Sequence, residues 1–408
     1  MGKRTGFICL SILFLVMIIL PIQTASGKEE SSKPVKVTIG VLADMTGPYA
    51  PMWPPFEEAF KLVDKWLEVS NFLPGIKIHW MILDHGHDAG KIISVYKQMR
   101  DAQAALIISN SSIDASTLKK MLADDRIPMI SQGSTVTLID PPGWVFCLPP
   151  LYTDQTAAFM DWILANWKKE RKPKLAILTW DTAAGRGVIS PDVRKYAKIK
   201  GVEIVGEEFI PRAPLETTNE LIRIRDAGTD FTFGVLHASP WSVVLKDAQR
   251  LGVSGKIKFA TSYAINLYEL IKYAGPLADG FLSTQWYSSI PEKVPTKLYK
   301  TLGVDIPKDP LFAFSHGLIW TEMIVGLRAL KITLDEKGPK AISGPETYKS
   351  LQRVKNEDCL GWSTPLSFGE NKRVGADSVI VTEISKGGAR YISDRIKIPD
   401  IKAAIAGK

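Results

Sequence analysis

The chain has 408 residues, 45% of them hydrophobic and 23% charged, and carries a formal charge of +8. This is an ordinary globular composition, which excludes collagen, intrinsic disorder and a disulfide-framework miniprotein. Its length exceeds what one hydrophobic core usually supports and predicts two lobes of about 150–200 residues each.

Residues 1–27 read as a secretory signal peptide. Lys3 and Arg4 precede an apolar run from Phe7 to Leu20, followed by Pro21 and the small residues Ala25, Ser26 and Gly27. The run is shorter than the ~20 residues that span a bilayer, so cleavage before Lys28 and an exported, soluble product are expected. The basic cluster Lys168, Lys169, Arg171 and Lys172 is interrupted by Glu170 and reads as a solvated face, not a nucleic-acid surface. Cys147 and Cys359 remain after export, and the sequence leaves open whether they pair.

In chain order, a strand from Val35 to Leu42 leads through Thr46, Gly47 and Pro48 to a helix whose apolar stripe is Phe56, Ala59, Phe60, Val63 and Leu67. Strands are predicted at Ile76 to Leu83, Ala104 to Ser109 and Pro128 to Ser131. Helices are predicted at Ala89 to Arg100 and about Ala115 to Ala123. The alternation indicates βαβ units and a parallel sheet. After Pro149 and Pro150 the rhythm restarts. Strands at Lys174 to Thr179, Val202 to Glu207, Phe231 to Leu236 and Lys256 to Ala260 alternate with helices near Asp192 to Lys200, Thr218 to Ala227 and Ser242 to Leu251. The fold class is therefore α/β, two doubly wound parallel-sheet lobes, with a ligand expected between them beyond the carboxyl ends of the strands.

No Walker loop, GxGxxG, HExxH or GxSxG occurs, so phosphoryl transfer, dinucleotide redox chemistry, zincin proteolysis and α/β-hydrolase catalysis lack their signatures. The run Asp84, His85, Gly86, His87, Asp88 has metal-ligand chemistry, yet Asp88 is placed to cap the helix that follows, and no metal or cofactor is expected. Three loops at strand ends are rich in hydroxyls: Asp44 to Tyr49, Ser109 to Ser112, and Ser131 to Thr135. Hydroxyls beside free N–H groups at helix starts suit a carboxylate or another polar head group.

At these loops the sequence resembles the type I periplasmic solute-binding proteins, in the leucine/isoleucine/valine-binding branch that serves ABC importers. The resemblance is carried by the run from Thr38 to Tyr49, by Asp84 with Asp88, by Ile130 and Ser131, by the run from Trp180 to Gly187, and by Ala227 to Asp230. It spans nearly the whole chain after the leader. It implies a three-strand hinge near Leu148 to Leu151, Thr284 to Tyr287 and Gly375 to Ser378. Lobe one then takes residues 28–150 and 285–375, and lobe two takes 151–284 and 376–408.

The resemblance also implies ligand contacts from Trp53, Ser111, Ser112, Gly133, Ser134, Thr135, Ala184, His237, Tyr263 and Phe312, with Ser112 and Thr135 on the ligand's carboxylate. Two positions depart from the amino-acid binders. Ala184 stands where they place a tyrosine, and Tyr263 where they place the acid that pairs with the ligand's ammonium. A desolvated ammonium without a carboxylate partner costs several kcal/mol, so an apolar or aromatic carboxylate or amide is expected ahead of a free amino acid, which stays open if an acid elsewhere, such as Asp181, compensates. The family's early disulfide is not implied, because those positions carry His87 and Ser111; two free thiols are expected. The resulting expectation is a monomeric, non-enzymatic periplasmic receptor with a small-molecule ligand, an ABC permease as partner and no nucleic acid. A ligand-sensing receptor for a signalling partner is a second reading. An exported hydrolase using His237 or the Asp84, His85, His87 cluster is a third, and it lacks a nucleophile paired with a base.

Overall fold

The first strand explains its own position. In β1 (Val35–Ala43) the residues from Ile39 to Ala43 are buried on both faces, the pattern of a central strand covered by helices on either side. The computed structural model describes residues 1–2 and 33–407 apart from Pro48, so all but the first two residues of the expected leader lie outside the described residues. The elements from Val35 onward form one unit. Among the described residues, no helix is long and apolar enough to cross a membrane.

After β1 come α1 (Trp53–Ser70), β2 (Ile76–Asp84), α2 (Ala89–Asp101), β3 (Leu106–Ser109), α3 (Ser112–Asp125), β4 (Met129–Ser131), α4 (Val136–Ile139) and β5 (Val145–Cys147). The strands form an all-parallel sheet in the order β2-β1-β3-β4-β5. The stripe expected on α1 is buried at Phe56, Ala59, Phe60 and Val63, with Trp66 completing it. Asp88 caps α2, its side chain accepting from the Lys91 amide at 2.8 Å.

The second sheet begins after α5 (Tyr152–Asn166). It follows through β6 (Lys174–Trp180), α6 (Ala183–Arg186), α7 (Pro191–Lys200), β7 (Glu203–Ile210), α8 (Thr218–Asp226), β8 (Phe231–Gly234), α9 (Ala238–Arg250), β9 (Lys258–Thr261), α10 (Leu267–Ala274) and β10 (Leu282–Gln285). Three helices follow, α11 (Thr296–Leu302), α12 (Phe312–Lys337) and α13 (Gly344–Leu351). The chain ends with β11 (Ser378–Ser385), β12 (Gly388–Tyr391), β13 (Ile396–Lys397) and α14 (Ile401–Ile405). Strand order is β12-β11-β10-β9-β8-β6-β7, with β13 also on β11. Pairing is parallel from β7 to β10 and antiparallel at β11, β12 and β13, so the C-terminal strands close this sheet with reversed direction.

Helix α12 packs against α1, α13, β3 and β4, which returns the chain to the first sheet between β10 and β11. A Cβ built on its Gly326 would stand 2.5 Å from the Leu106 side chain, a measure of how closely helix and sheet approach. The chain thus passes between the sheets three times, and the first and third crossings are tied together. The Cys147 amide donates to the Arg373 carbonyl (2.8 Å), the Gly375 amide to the Cys147 carbonyl (2.8 Å) and the Ala376 amide to the Leu148 carbonyl (2.9 Å). Both Cys147 and Cys359 are buried free thiols.

Candidate functional site

Loops at the carboxyl ends of β1, β2, β3 and β4 face loops at the carboxyl ends of β6, β7, β8 and β9 across a cleft of about 1070 Å³. That is where ligands bind in open α/β sheets, because helix N-termini and free backbone groups converge there.

The floor is aromatic. Tyr152, the first residue of α5, stacks on Tyr263 with ring centroids 6.1 Å apart and planes 14° from parallel. The Tyr263 hydroxyl donates to the backbone carbonyl of Gln132 and so ties the β9 loop to the β4 loop. Gln155 holds this floor in place: its Oε1 accepts from the Tyr263 amide (3.3 Å) and the Thr284 hydroxyl (3.0 Å), and its Nε2 donates to the Pro150 carbonyl (2.9 Å). Burial pushes the Tyr152 phenol up to about 12 and raises Tyr263 well above its ordinary value, so both stay neutral.

Helix α3 forms the hydroxyl wall. Ser111 is its N-cap, accepting from the Ile113 amide at 3.2 Å, and Ser112 is its first residue, lining the cleft at the amide-rich end of the helix. Thr135 lines the same wall, its hydroxyl 3.2 Å from that of Thr137.

Opposite, Trp180 meets His237 edge-on at 4.6 Å and Tyr49 meets it edge-on at 5.2 Å. Burial, with help from Arg212 and His87, lowers His237 to about 4, so the ring is neutral at pH 7. Ala184, Phe312 and Leu318 complete the apolar lining. Of the acids of the lining, Glu269 accepts from Tyr273 (2.7 Å) and Asp309 from the Leu311 amide (2.9 Å), while Glu58 lies 3.6 Å from His316, whose buried ring is neutral at pH 7.

Of the expected contact residues, Ser111, Ser112, Thr135, Ala184, His237, Tyr263 and Phe312 come together on the cleft, and three do not line it. Trp53 packs beside Phe56 and Phe60 and lines a separate void of about 20 Å³ behind Tyr49. Gly133 lies so close to Ser112 that an added Cβ would stand 2.8 Å from its Cα. The Ser134 hydroxyl donates to the Pro150 carbonyl. Gly133 and Ser134 therefore set the position of the hydroxyl wall from behind. Tyr49, Tyr152, Gln132 and Arg212 were not among the expected contacts. Tyr49 closes the first hydroxyl-rich loop and Arg212 follows a strand, so chain position was the signal for both.

The residues of the Asp84 to Asp88 run have separate tasks. Asp84 accepts from the Met45 amide (2.7 Å) and the Thr46 hydroxyl (2.7 Å), fixing the first loop. Buried His85 lies 3.4 Å from Asp114, and His87 turns toward Asp44 and Arg212. Among the described residues, no group of three His, Cys, Asp or Glu could hold a metal.

Two facing α/β sheets with a ligand-sized cleft at their carboxyl edges define a binding protein of the periplasmic receptor class. A profile of the family described as "Periplasmic binding protein" matches residues 36–389, and the chain belongs to that family. No curated protein matches the sequence. Among solved structures, it is similar to a branched chain amino acid ABC transporter protein from Thermus thermophilus with bound valine (TM-score 0.77, 20% identity, 92% of this chain and 100% of that one). It is also similar to a fatty acid ABC transporter substrate-binding protein from Thermomonospora curvata (TM-score 0.72, 17% identity, 90% and 93%). A leucine binding protein from Thermotoga maritima has a TM-score of 0.69 at 17% identity, covering 88% and 99%.

Proposed function

We propose that the protein is the exported substrate-binding component of an ABC importer, and that it captures a small apolar or aromatic carboxylate or amide between two lobes for delivery to a permease. The lobes are residues 28–150 with 285–375, and 151–284 with 376–408, joined at the three crossings. Closure is a population shift that deepens only with contacts a ligand makes to both lobes at once.

The observation that carries the ligand class is Tyr263. A neutral, buried phenol, already bonded to the Gln132 carbonyl, occupies the position where the resemblance implies an acid for an ammonium. An ammonium placed there would lose hydration without gaining a counter-charge. An acyl oxygen suits the opposite wall, where the Ser112 and Thr135 hydroxyls and the start of α3 offer hydrogen bonds. The surrounding Tyr49, Tyr152, Trp180 and Phe312 suit a flat or apolar body.

A melting-temperature screen of the purified protein over aromatic carboxylates, their amides and amino acids tests this, since binding to the folded state raises the transition by mass action. Carboxylates or amides are expected to raise it. Ser112→Ala and Thr135→Ala should each weaken that binding by ~1–3 kcal/mol. A shift produced by amino acids alone, unaltered in both variants, would contradict the reading.

A further inference from the structure

Arg212 follows β7, the edge strand of the second sheet, and lines the cleft. Every salt bridge found among the described residues leaves it out, so it faces the cleft without an acid partner. Its one side-chain hydrogen bond is to His87, Nη1 to Nε2 at 3.3 Å. With Arg212 donating to Nε2, the His87 proton sits on Nδ1, which faces Asp44 Oδ2 at 3.3 Å. Asp44 thus lies behind the imidazole and accepts from the Tyr49 amide. A guanidinium carries five N–H donors, so four remain for something else.

The topology sets how far this corner is from the hydroxyl wall. His87 follows β2 and Ser112 follows β3, with β1 between them in the sheet. Strand spacings of about 4.8 Å put the two loops about 10 Å apart along the cleft. Tyr49 lies between them, packed on His87 on one side and sharing a small void with Ser111 on the other; His237 packs against Tyr49, and Trp180 in turn against His237. The cleft therefore has a polar seat at each end and an aromatic middle.

We propose that Arg212, flanked by His87 and His237, is a second anion seat, and that the ligand is a dicarboxylate whose acids lie at opposite ends of an apolar or aromatic body. This rests on the reading that Ser112 and Thr135 take a carboxylate, and it adds the second charge. Burial lowers both imidazoles, leaving them neutral near pH 7. His87 gives its lone pair to Arg212 and turns its one N–H toward Asp44, so it orients the guanidinium, while His237 keeps one N–H to donate to the anion. Glu58, Glu269, Asp309 and Lys272 also line the cleft; Glu269 and Asp309 accept hydrogen bonds, and Glu58 is half-exposed beside the neutral ring of His316.

Calorimetry with matched probes tests the proposal: terephthalate against benzoate, and suberate against octanoate, on the unmodified protein, Arg212→Gln and Ser112→Ala. At least one diacid should bind about tenfold or more tighter than its monoacid, the effect of one charge-assisted contact. In Arg212→Gln that ratio should fall toward one. In Ser112→Ala both members of the pair should weaken together. A ratio near one in the unmodified protein, or one unchanged by Arg212→Gln, would overturn the second seat. Monoacid binding that still depends on Ser112 would then leave the first seat standing. An equal loss for both acids in Arg212→Gln would make Arg212 a closure contact with His87 and equally overturn the seat. Failure of all four acids to bind would overturn both seats together.

Discussion

His316 is buried on α12, its Nδ1 2.7 Å from the Tyr299 hydroxyl, and burial lowers its pKa to about 4. An unfolded histidine titrates near 6.5, so between these values the unfolded chain binds the proton and the folded one does not. Stability from this group is present above about 6.5 and is lost as pH falls toward 4, a change of order 3 kcal/mol. His237 acts with the same sign, whereas His85 runs the other way: burial opposes its charge, but Asp114 and neighbouring carboxylates hold its pKa up. Chemical denaturation across pH 7 to 4.5 should therefore show a shallower loss in His316→Gln than in the unmodified chain. Equal slopes would contradict a neutral, buried His316. Little of this was legible in the sequence, since a histidine in an apolar run shows neither its depth nor its partner. Tyr263 differed, because the resemblance fixed its position and its chemistry followed. Arg212 was invisible as a site residue: in a basic chain an arginine after a strand looks like any surface cation until its lack of a carboxylate partner is seen.

Elements were legible where each kept one face apolar or one short run buried. The strands from Val35 to Ser131 and from Lys174 to Thr261 lie within a few residues of expectation, as do the helices between them. Helix α12 was not, although it is the longest helix described. It is buried on almost every face from Phe312 to Leu327, so it has no stripe for periodicity to find. Only its first residue, Phe312, was picked out, through the resemblance. The three-residue β5 is too short to stand out between turns. Close packing also makes some elements intolerant. In β8, a Cβ on Gly234 would stand 1.8 Å from the Leu178 carbonyl oxygen, a backbone atom that cannot rotate away. Gly234→Ala should cost about 1–3 kcal/mol or more through overpacking, and should disturb the loop that carries His237. Denaturant midpoints would measure the cost; an unchanged midpoint would contradict the packing of β8 on β6.

At the scale of the molecule, the two sheets, their crossings and the cleft at their carboxyl edges follow from repeating one βα rhythm twice. The sequence predicted where a ligand would lie because loops at strand ends carry the free amides and helix starts. It could not predict that the second sheet would finish with antiparallel strands, nor that the Tyr263 hydroxyl would reach across to the Gln132 carbonyl. That contact makes Tyr263 a neutral tie between the two sheets. The most direct measurement is calorimetric titration of benzoate and of leucine into the unmodified protein and into Tyr263→Glu. The unmodified protein is expected to bind benzoate more tightly than leucine, and Tyr263→Glu to shift the preference toward leucine by supplying the missing counter-charge. Tight leucine binding by the unmodified protein, with benzoate inert, would contradict the account.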